Sequence, residues 1–377
     1  MQKIVIIPDS FKGTISSGDA GKIIEEEVRS QWPEAEVIRA EVADGGEGSV
    51  DAFLSVLPGE KITAEVTGPY GERISSYYGI FGETAVVEMA AAAGLPLVGK
   101  KLSAGKTTTF GVGELILDAL DHGAKKIILC LGGSATNDGG TGAASALGVR
   151  FTDTKGNGFV PVGESLSQIA GIDMSGLDSR IRDAEILAMC DVYNPLCGEN
   201  GASAVFGPQK GATEQDIRHL EKGLEHLAGL VRENLGKDIL QLEGGGAAGG
   251  MGAGAVAFLG AGLQSGIEVI LDAIQFEQML EGCSMVITGE GRIDGQSAKG
   301  KVVSGIAKRT ARRKIPLLAI VGAIGDDIDE IYEAGVSAVF SIISQPMTFD
   351  QIKMCTHSEL RKTARTIFRF AEIVKSI

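Results

Sequence analysis

Two stretches of this chain share one texture, and they lie at its opposite ends. Residues 3–7 form a short β-branched run, and Ser17 to Ser30 places Ile23, Ile24 and Val28 on one helical face. A second strand over 36–42 and a second helix from Ser49 to Leu57 follow. Strands alternating with helices imply parallel pairing through crossovers. The same pattern returns late, with buried-strand runs at 284–288 and 316–321, a helix over 298–312 between them, and a strand at 336–343. A closing helix aligns Leu360, Ala364, Ile367, Phe368, Ala371 and Val374 on one face. The middle reads differently. Residues 61–67, 73–80 and 84–89 are strand-like runs separated by "GPYG" and "FGE", an antiparallel meander, before a helix over 110–121 and a strand over 126–131. The expected architecture is α/β in two domains. Residues 1–60 plus 281–377 make a discontinuous domain with two strands from its first segment and three from its last. Residues 61–280 form an inserted α/β domain with a mixed sheet.

Composition narrows the function. Glycine is abundant, at 54 of 377 residues, yet the hydrophobic share of 44% suffices for ordered cores, and 10 prolines without a three-residue glycine period exclude collagen. A net charge of −14 argues against a nucleic-acid partner. Five dispersed cysteines without a CxxC pair, and four histidines away from them, disfavour zinc sites and disulfides and fit a reducing cytoplasm. Neither the four-residue apolar run at the N-terminus nor the uncharged, glycine-rich 244–267 stretch has the length or apolarity of a signal or membrane segment. Homo-oligomerisation is left open by these features.

Five expected strands each run into a loop holding an acid: "PDSFKG" (8–13), "ADGGEG" (43–48), "GGSATNDGG" (132–140), "CDVYNPL" (190–196) and "TGEGRID" (288–294). Ligands of open α/β sheets bind outside the carboxyl ends of strands, where these loops fall. Each acid also has a local reading. Asp44 and Glu47 fit a capping box, Asp138 fits an N-cap and Asp9 fits a bend after Pro8. Asp191 is the hardest to assign to a turn. Gly132, Gly133, Ser134, Ala135, Thr136 and Asn137 lie between a strand and a helix, so backbone N–H groups and two hydroxyls can converge on phosphate. The segment 244–254 carries seven glycines and opens a helix, which suits either a nucleotide or tight helix packing.

Two P-loop near-misses fail on position. "GQSAKGKV" (295–302) has Val302 where a magnesium-holding hydroxyl belongs, and "KLSAGKTT" (101–108) has no first glycine. Gly244-x-Gly246-x-x-Gly249 matches the dinucleotide fingerprint after a poor strand, "DILQLE". Lys12, Lys210, Arg292, Lys299 and Lys301 sit in or beside the glycine loops, so anion binding rests on local cations, backbone N–H groups and a metal ion. Acidic and phosphate-type loops without a catalytic Ser-His pair suggest magnesium-assisted phosphoryl transfer.

The motifs resemble the type 1 glycerate kinase family along almost the whole chain. The matching segments are "PDSFKGTISS", "DGGEG", "GGSATNDGG", "CDVYNPLCGENGAS", "FGPQKGA", "GAAGGMG" and "TGEGRIDGQS", in that order. The resemblance implies a flavodoxin-like domain built from both chain ends. It also implies ATP-dependent phosphorylation of D-glycerate with magnesium, 2-phosphoglycerate being the favoured product. Expected roles follow. Asp191 accepts the substrate hydroxyl proton. Lys12 and Ser10, with Arg292, hold the glycerate carboxylate or the transferred phosphate, and Asp9 and Asn194 contact substrate. Asp44, Glu47 and Asp294 contact substrate hydroxyls, and Asp44 and Asp294 also serve as metal ligands. Gly132 to Asn137, Lys210, Gly246, Gly249 and Gly250 cradle ATP. Two rivals remain open here: an NAD-dependent dehydrogenase of a small hydroxy acid using the 244–249 fingerprint, and a non-catalytic small-acid binding module.

Overall fold

The β-branched run at the N-terminus becomes the parallel strand Lys3–Ile6, with Ile4 to Ile7 at most 1% exposed. Its neighbours are Glu36–Arg39 on one side and Cys283–Thr288 on the other, both parallel to it. The sheet continues through Leu317–Val321 to Ala338–Ser341, parallel throughout. Strands buried on both faces tolerate such continuous apolar runs. Taking the central strand outward, the order is that of a flavodoxin-like sheet, with two strands from the first segment and three from the last. The computed structural model describes residues 2–11, 13–42, 48–295, 297 and 302–375, apart from the side chains of Val56, Val374 and Lys375. Lys12, Asp44, Glu47, Lys299 and Lys301 therefore lie outside the described residues.

The helix Ser17–Gln31 begins where the Ser16 side chain accepts the Asp19 N–H at 3.1 Å. It buries Ile23, Ile24 and Val28 and packs on the long helix Phe349–Lys375. Glu27, almost fully enclosed, takes Arg361 at 3.1 Å and Arg365 at 2.9 Å, and those guanidinium groups hold its carboxyl below the usual range. This half of the core also contains Trp32, Leu360, Ala364 and Phe368.

A six-stranded mixed sheet organises the rest of the chain. Glu60–Thr67, Arg73–Phe81 and Thr84–Glu88 form the antiparallel meander, and Lys126–Cys130, Glu185–Met189 and Gly262–Gln264 extend it in parallel. A small antiparallel sheet of Arg150–Thr152, Gly158–Phe159 and Gly171–Asp173 accompanies it. A separate core surrounds this sheet, including Val87, Leu115, Ile127, Leu224 and Phe258.

The chain divides into two compact units, Met1–Asp44 with Ser55–Leu57 and Ile267–Ile377, and Gly45–Leu54 with Pro58–Gly266. The sequence had placed joins near residues 60 and 280. Two segments account for the difference. Helix Ser49–Val56 starts on the second unit, where Glu88 accepts the Val50 N–H at 2.7 Å and Phe53 meets Phe81. Residues after Gly266 belong to the first unit, because Arg309 takes Glu268, Asp272 and Glu277 together. Among the described residues no helix is long and apolar enough to cross a membrane.

Candidate active site

The candidate residues fall into two groups, one on each unit. In the first unit, strands Lys3–Ile6 and Cys283–Thr288 run side by side with Ile6 opposite Ile287, so their following loops leave the same edge together. The sheet order proceeds outward in both directions from this pair, the switch point where open α/β sheets bind ligands. The two loops are laced by Thr288 Oγ1 donating to the Ile7 carbonyl at 2.9 Å and by Asp9 N–H donating to the Gly289 carbonyl at 2.8 Å. Asp9 is buried and its Oδ1 accepts the Ser10 N–H at 2.6 Å.

Ser10, Gly13, Thr14, Ile15 and Ser16 line a cavity of about 480 Å³ at the start of helix Ser17–Gln31. Backbone N–H groups at a helix start favour anions. Arg292 approaches Asp294 at 3.4 Å, and both line a second cavity of about 560 Å³ with Asp326, Asp327, Asp329 and Glu330. Glu290, in the same loop as Arg292, is buried as well, and sequence reading had not singled it out.

The second group is built around the loop after Lys126–Cys130. Gly133 is exposed, whereas Ser134, Ala135, Thr136 and Asn137 are enclosed. Three carbonyls of this loop are held by their own chain. Leu95 N–H donates to Gly133 O at 2.9 Å, Thr107 Oγ1 to Ala135 O at 2.8 Å, and Lys210 Nζ to Thr136 O at 2.8 Å. Lys210 Nζ also donates to Ser134 Oγ at 2.7 Å. Burial pushes the Lys210 ammonium down to about 7, against the pull of the Asp138 carboxylate.

Asp138 is fully enclosed. Its carboxylate accepts Thr109 N–H at 2.8 Å, Thr109 Oγ1 at 2.9 Å and Gly140 N–H at 3.0 Å. Burial raises its proton affinity against those donors. The stretch rejected as a P-loop thus has a structural use, since the hydroxyls of Thr107 and Thr109 tie it to the phosphate-type loop. Sequence reading weighed Thr107 only as a P-loop hydroxyl and missed Thr109; their signal was a run of three threonines beside a lysine.

The glycines at 246, 249 and 250 are enclosed by their own chain. A Cβ on Gly249, whose φ is +67°, would stand 1.9 Å from the Thr136 carbonyl oxygen. One on Gly246 would stand 2.3 Å from the Pro195 carbonyl. Gly250 lies against Gly139. Tight packing therefore accounts for the glycine density. The dinucleotide fingerprint does not hold, because residues 238–243 form no strand and Ala248, Gly249 and Gly250 take left-handed conformations.

Asn194 belongs to this packing. Its main-chain oxygen accepts Gly246 N–H at 2.9 Å, and its Nδ2 donates to the Asn200 carbonyl at 2.8 Å. Asp191 is exposed, and its Oδ1 accepts Ser265 Oγ at 3.0 Å and Gly266 N–H at 2.8 Å.

Residues 4–372 match the model of the Glycerate kinase family. The chain is 45% identical to "Glycerate 2-kinase" of Escherichia coli K12 over 97% of each chain. It is 43% identical to "Glycerate kinase" of Bacillus subtilis 168 over 100% of this chain and 99% of that one. A crystal structure from Salmonella typhimurium LT2, assigned as glycerate kinase 2, superposes with a TM-score of 0.89 at 44% identity and full coverage of both chains.

Proposed function

The chain belongs to the glycerate kinase family, and from that premise we propose that it transfers the γ-phosphoryl group of ATP to D-glycerate to give 2-phosphoglycerate. The observation that carries this reading is the 45% identity, over nearly the full length of both chains, to a protein named glycerate 2-kinase. We place the reaction in the cytoplasm, where ATP is made.

Phosphoryl transfer asks a protein mainly for positioning and charge stabilisation. The main chain of Gly132, Gly133 and Ser134 forms the edge that meets the ATP phosphates, the Ser134 hydroxyl being taken by Lys210. Gly246, Gly249 and Gly250 support that edge from behind, through the contact of Gly249 with Thr136. Ser10 and Lys12, with Arg292, hold the glycerate carboxylate or the transferred phosphate, and Asp9, Asn194, Asp44 and Glu47 complete the substrate contacts. Asp191 accepts the proton of the substrate hydroxyl. Two donors already orient its carboxylate, and orientation is what this chemistry needs.

Among the described residues no three His, Cys, Asp or Glu side chains are grouped to hold a metal. A magnesium ion travelling with nucleotide needs only one or two carboxylates, with phosphates and water as the other ligands. Asp294 offers such an oxygen and Asp44 is proposed as the second. Bound there, the ion would supply charge neutralisation at the phosphates.

Phosphorus and carbon NMR of the product made from D-glycerate and Mg-ATP tests the reading. A 2-phosphate is expected, and no ADP release would leave only a binding module. Asp191→Asn should lower kcat by about 100-fold or more while the protein stays folded. Near-normal turnover would remove the base assignment.

A further inference from the structure

Lys210 lies in a glycine-rich motif, "FGPQKGA", and a lysine there reads naturally as a phosphate ligand. Its surroundings are those of an internal strut. The residue is 2% exposed. Its main chain is fixed as firmly as its side chain, with Lys210 N–H donating to Gly207 O at 3.0 Å and Lys210 O accepting Ala104 N–H at 3.1 Å. The next residue, Gly211, takes φ +84° against Leu102. The ammonium reaches the phosphate-type loop from inside, at Ser134 Oγ and Thr136 O.

The direction of those bonds matters. A loop that receives an anion must keep its carbonyl oxygens turned away from it, because their partial charge repels phosphate. Gly133 O, Ala135 O and Thr136 O are each held by an internal donor: Leu95 N–H, Thr107 Oγ1 and Lys210 Nζ. Of the three, only the Lys210 contact also fixes a side chain of the loop, the Ser134 hydroxyl. A neutral amine has two N–H donors to spend, and two acceptors are present. The contacts therefore need the donors and not the charge.

We propose that Lys210 is a positioning residue of the nucleotide loop: it holds Ser134 and Thr136 so that 132–134 keeps one backbone shape toward the phosphates, and it does not touch the nucleotide. This rests on the kinase reading above. The contrasting role is a direct charge contact with the phosphates.

The test compares wild type with Lys210→Met, Lys210→Gln and Ser134→Ala, measuring kcat, the KM for Mg-ATP and the Kd for Mg-ADP by calorimetry. Misplacing a reactive group by about 1 Å costs about 100-fold in rate. Lys210→Met is expected to lower kcat by about 30- to 100-fold while the Kd for Mg-ADP changes by less than about threefold. Lys210→Gln, with two amide N–H donors and no charge, should restore at least about fivefold of the lost kcat. Adding Ser134→Ala to Lys210→Met should cost less than about twofold more, since the contact is already gone.

The proposal is overturned if Gln is as poor as Met and both weaken Mg-ADP by about tenfold or more, the signature of a lost phosphate contact. It is equally overturned if Lys210→Met turns over like wild type. Should Lys210→Met fail to fold, Lys210→Gln and Ser134→Ala decide. Reduced kcat with intact Mg-ADP affinity supports the strut, and lost affinity or unchanged kcat refutes it. A wild-type protein that binds Mg-ADP but never phosphorylates glycerate sinks the kinase reading instead, before any variant is compared.

Discussion

Lys210 and Asp138 show how much a single residue's role depends on burial, which local sequence does not display. Both were visible as chemistry-bearing positions, one as a cation in a glycine motif and the other as a cap before a helix. Their enclosure changes the meaning of each. Asp138 does contact the backbone at Gly140, as a cap would, but it also accepts two donors from Thr109, about thirty residues earlier. Lys210 carries a measurable consequence. Its folded value of about 7 lies below the ~10.4 of a free lysine. Between those values the unfolded chain binds the extra proton, so stability rises with pH, and the contribution is lost as pH falls through 7. Urea denaturation at pH 7 and pH 8.5 should show wild type gaining about 2 kcal/mol relative to Lys210→Met over that interval. An unchanged difference would mean the amine pays no burial penalty, and the enclosed geometry would be wrong.

Individual elements were legible wherever periodicity was strong. Helix Ser17–Gln31, helix Phe110–Asp121 and the meander strands follow from apolar spacing and turn residues, which are local signals. Helix Ser49–Val56 was equally legible as a helix, but chain order placed it with residues 1–60 and says nothing about its packing partners, and most of it groups with the second unit. Its attachment depends on residues about ten to forty positions later. Glu88, at the end of strand Thr84–Glu88, accepts Gly48 N–H at 3.2 Å and Val50 N–H at 2.7 Å, and Lys61 pairs with Asp51. A carboxylate at a helix start satisfies donors that have no partner within the helix. Glu88→Gln keeps one acceptor and removes the charge, so the helix should lose about 1 kcal/mol of local stability. Hydrogen exchange across 48–52 should quicken about fivefold while helix Phe110–Asp121 stays at its wild-type rate. Equal protection in both proteins would show that the Phe53–Phe81 contact and the Lys61–Asp51 pair hold the helix without Glu88.

At the scale of the whole molecule, the discontinuous α/β plan was legible because strand–helix alternation appears at both ends and is interrupted between them. The position of the second crossing was not, since helices Gly266–Ala273 and Phe276–Met279 are tied to their unit by a tertiary contact. Arg309 is enclosed, and it gathers Glu268 at 2.5 Å, Asp272 at 2.7 Å and Glu277 at 2.8 Å. Breaking a buried ion pair costs about 3–5 kcal/mol when a charge is stranded. Here the three acids are 39–65% exposed and can hydrate once the arginine is gone, so Arg309→Met should cost nearer 2 kcal/mol. The two units have separate cores, one around Ile6, Ile287 and Phe368 and the other around Val87, Ile127 and Phe258. Calorimetry should therefore resolve two transitions, as expected when a chain exceeds one cooperative core. Arg309→Met should lower the transition of the unit containing both chain ends by a few degrees, about 2–4 °C per kcal/mol for a domain of this size. The other transition should stay in place. If both fall together, the units unfold as one cooperative body, and the segment after Gly266 contributes to both cores rather than to one.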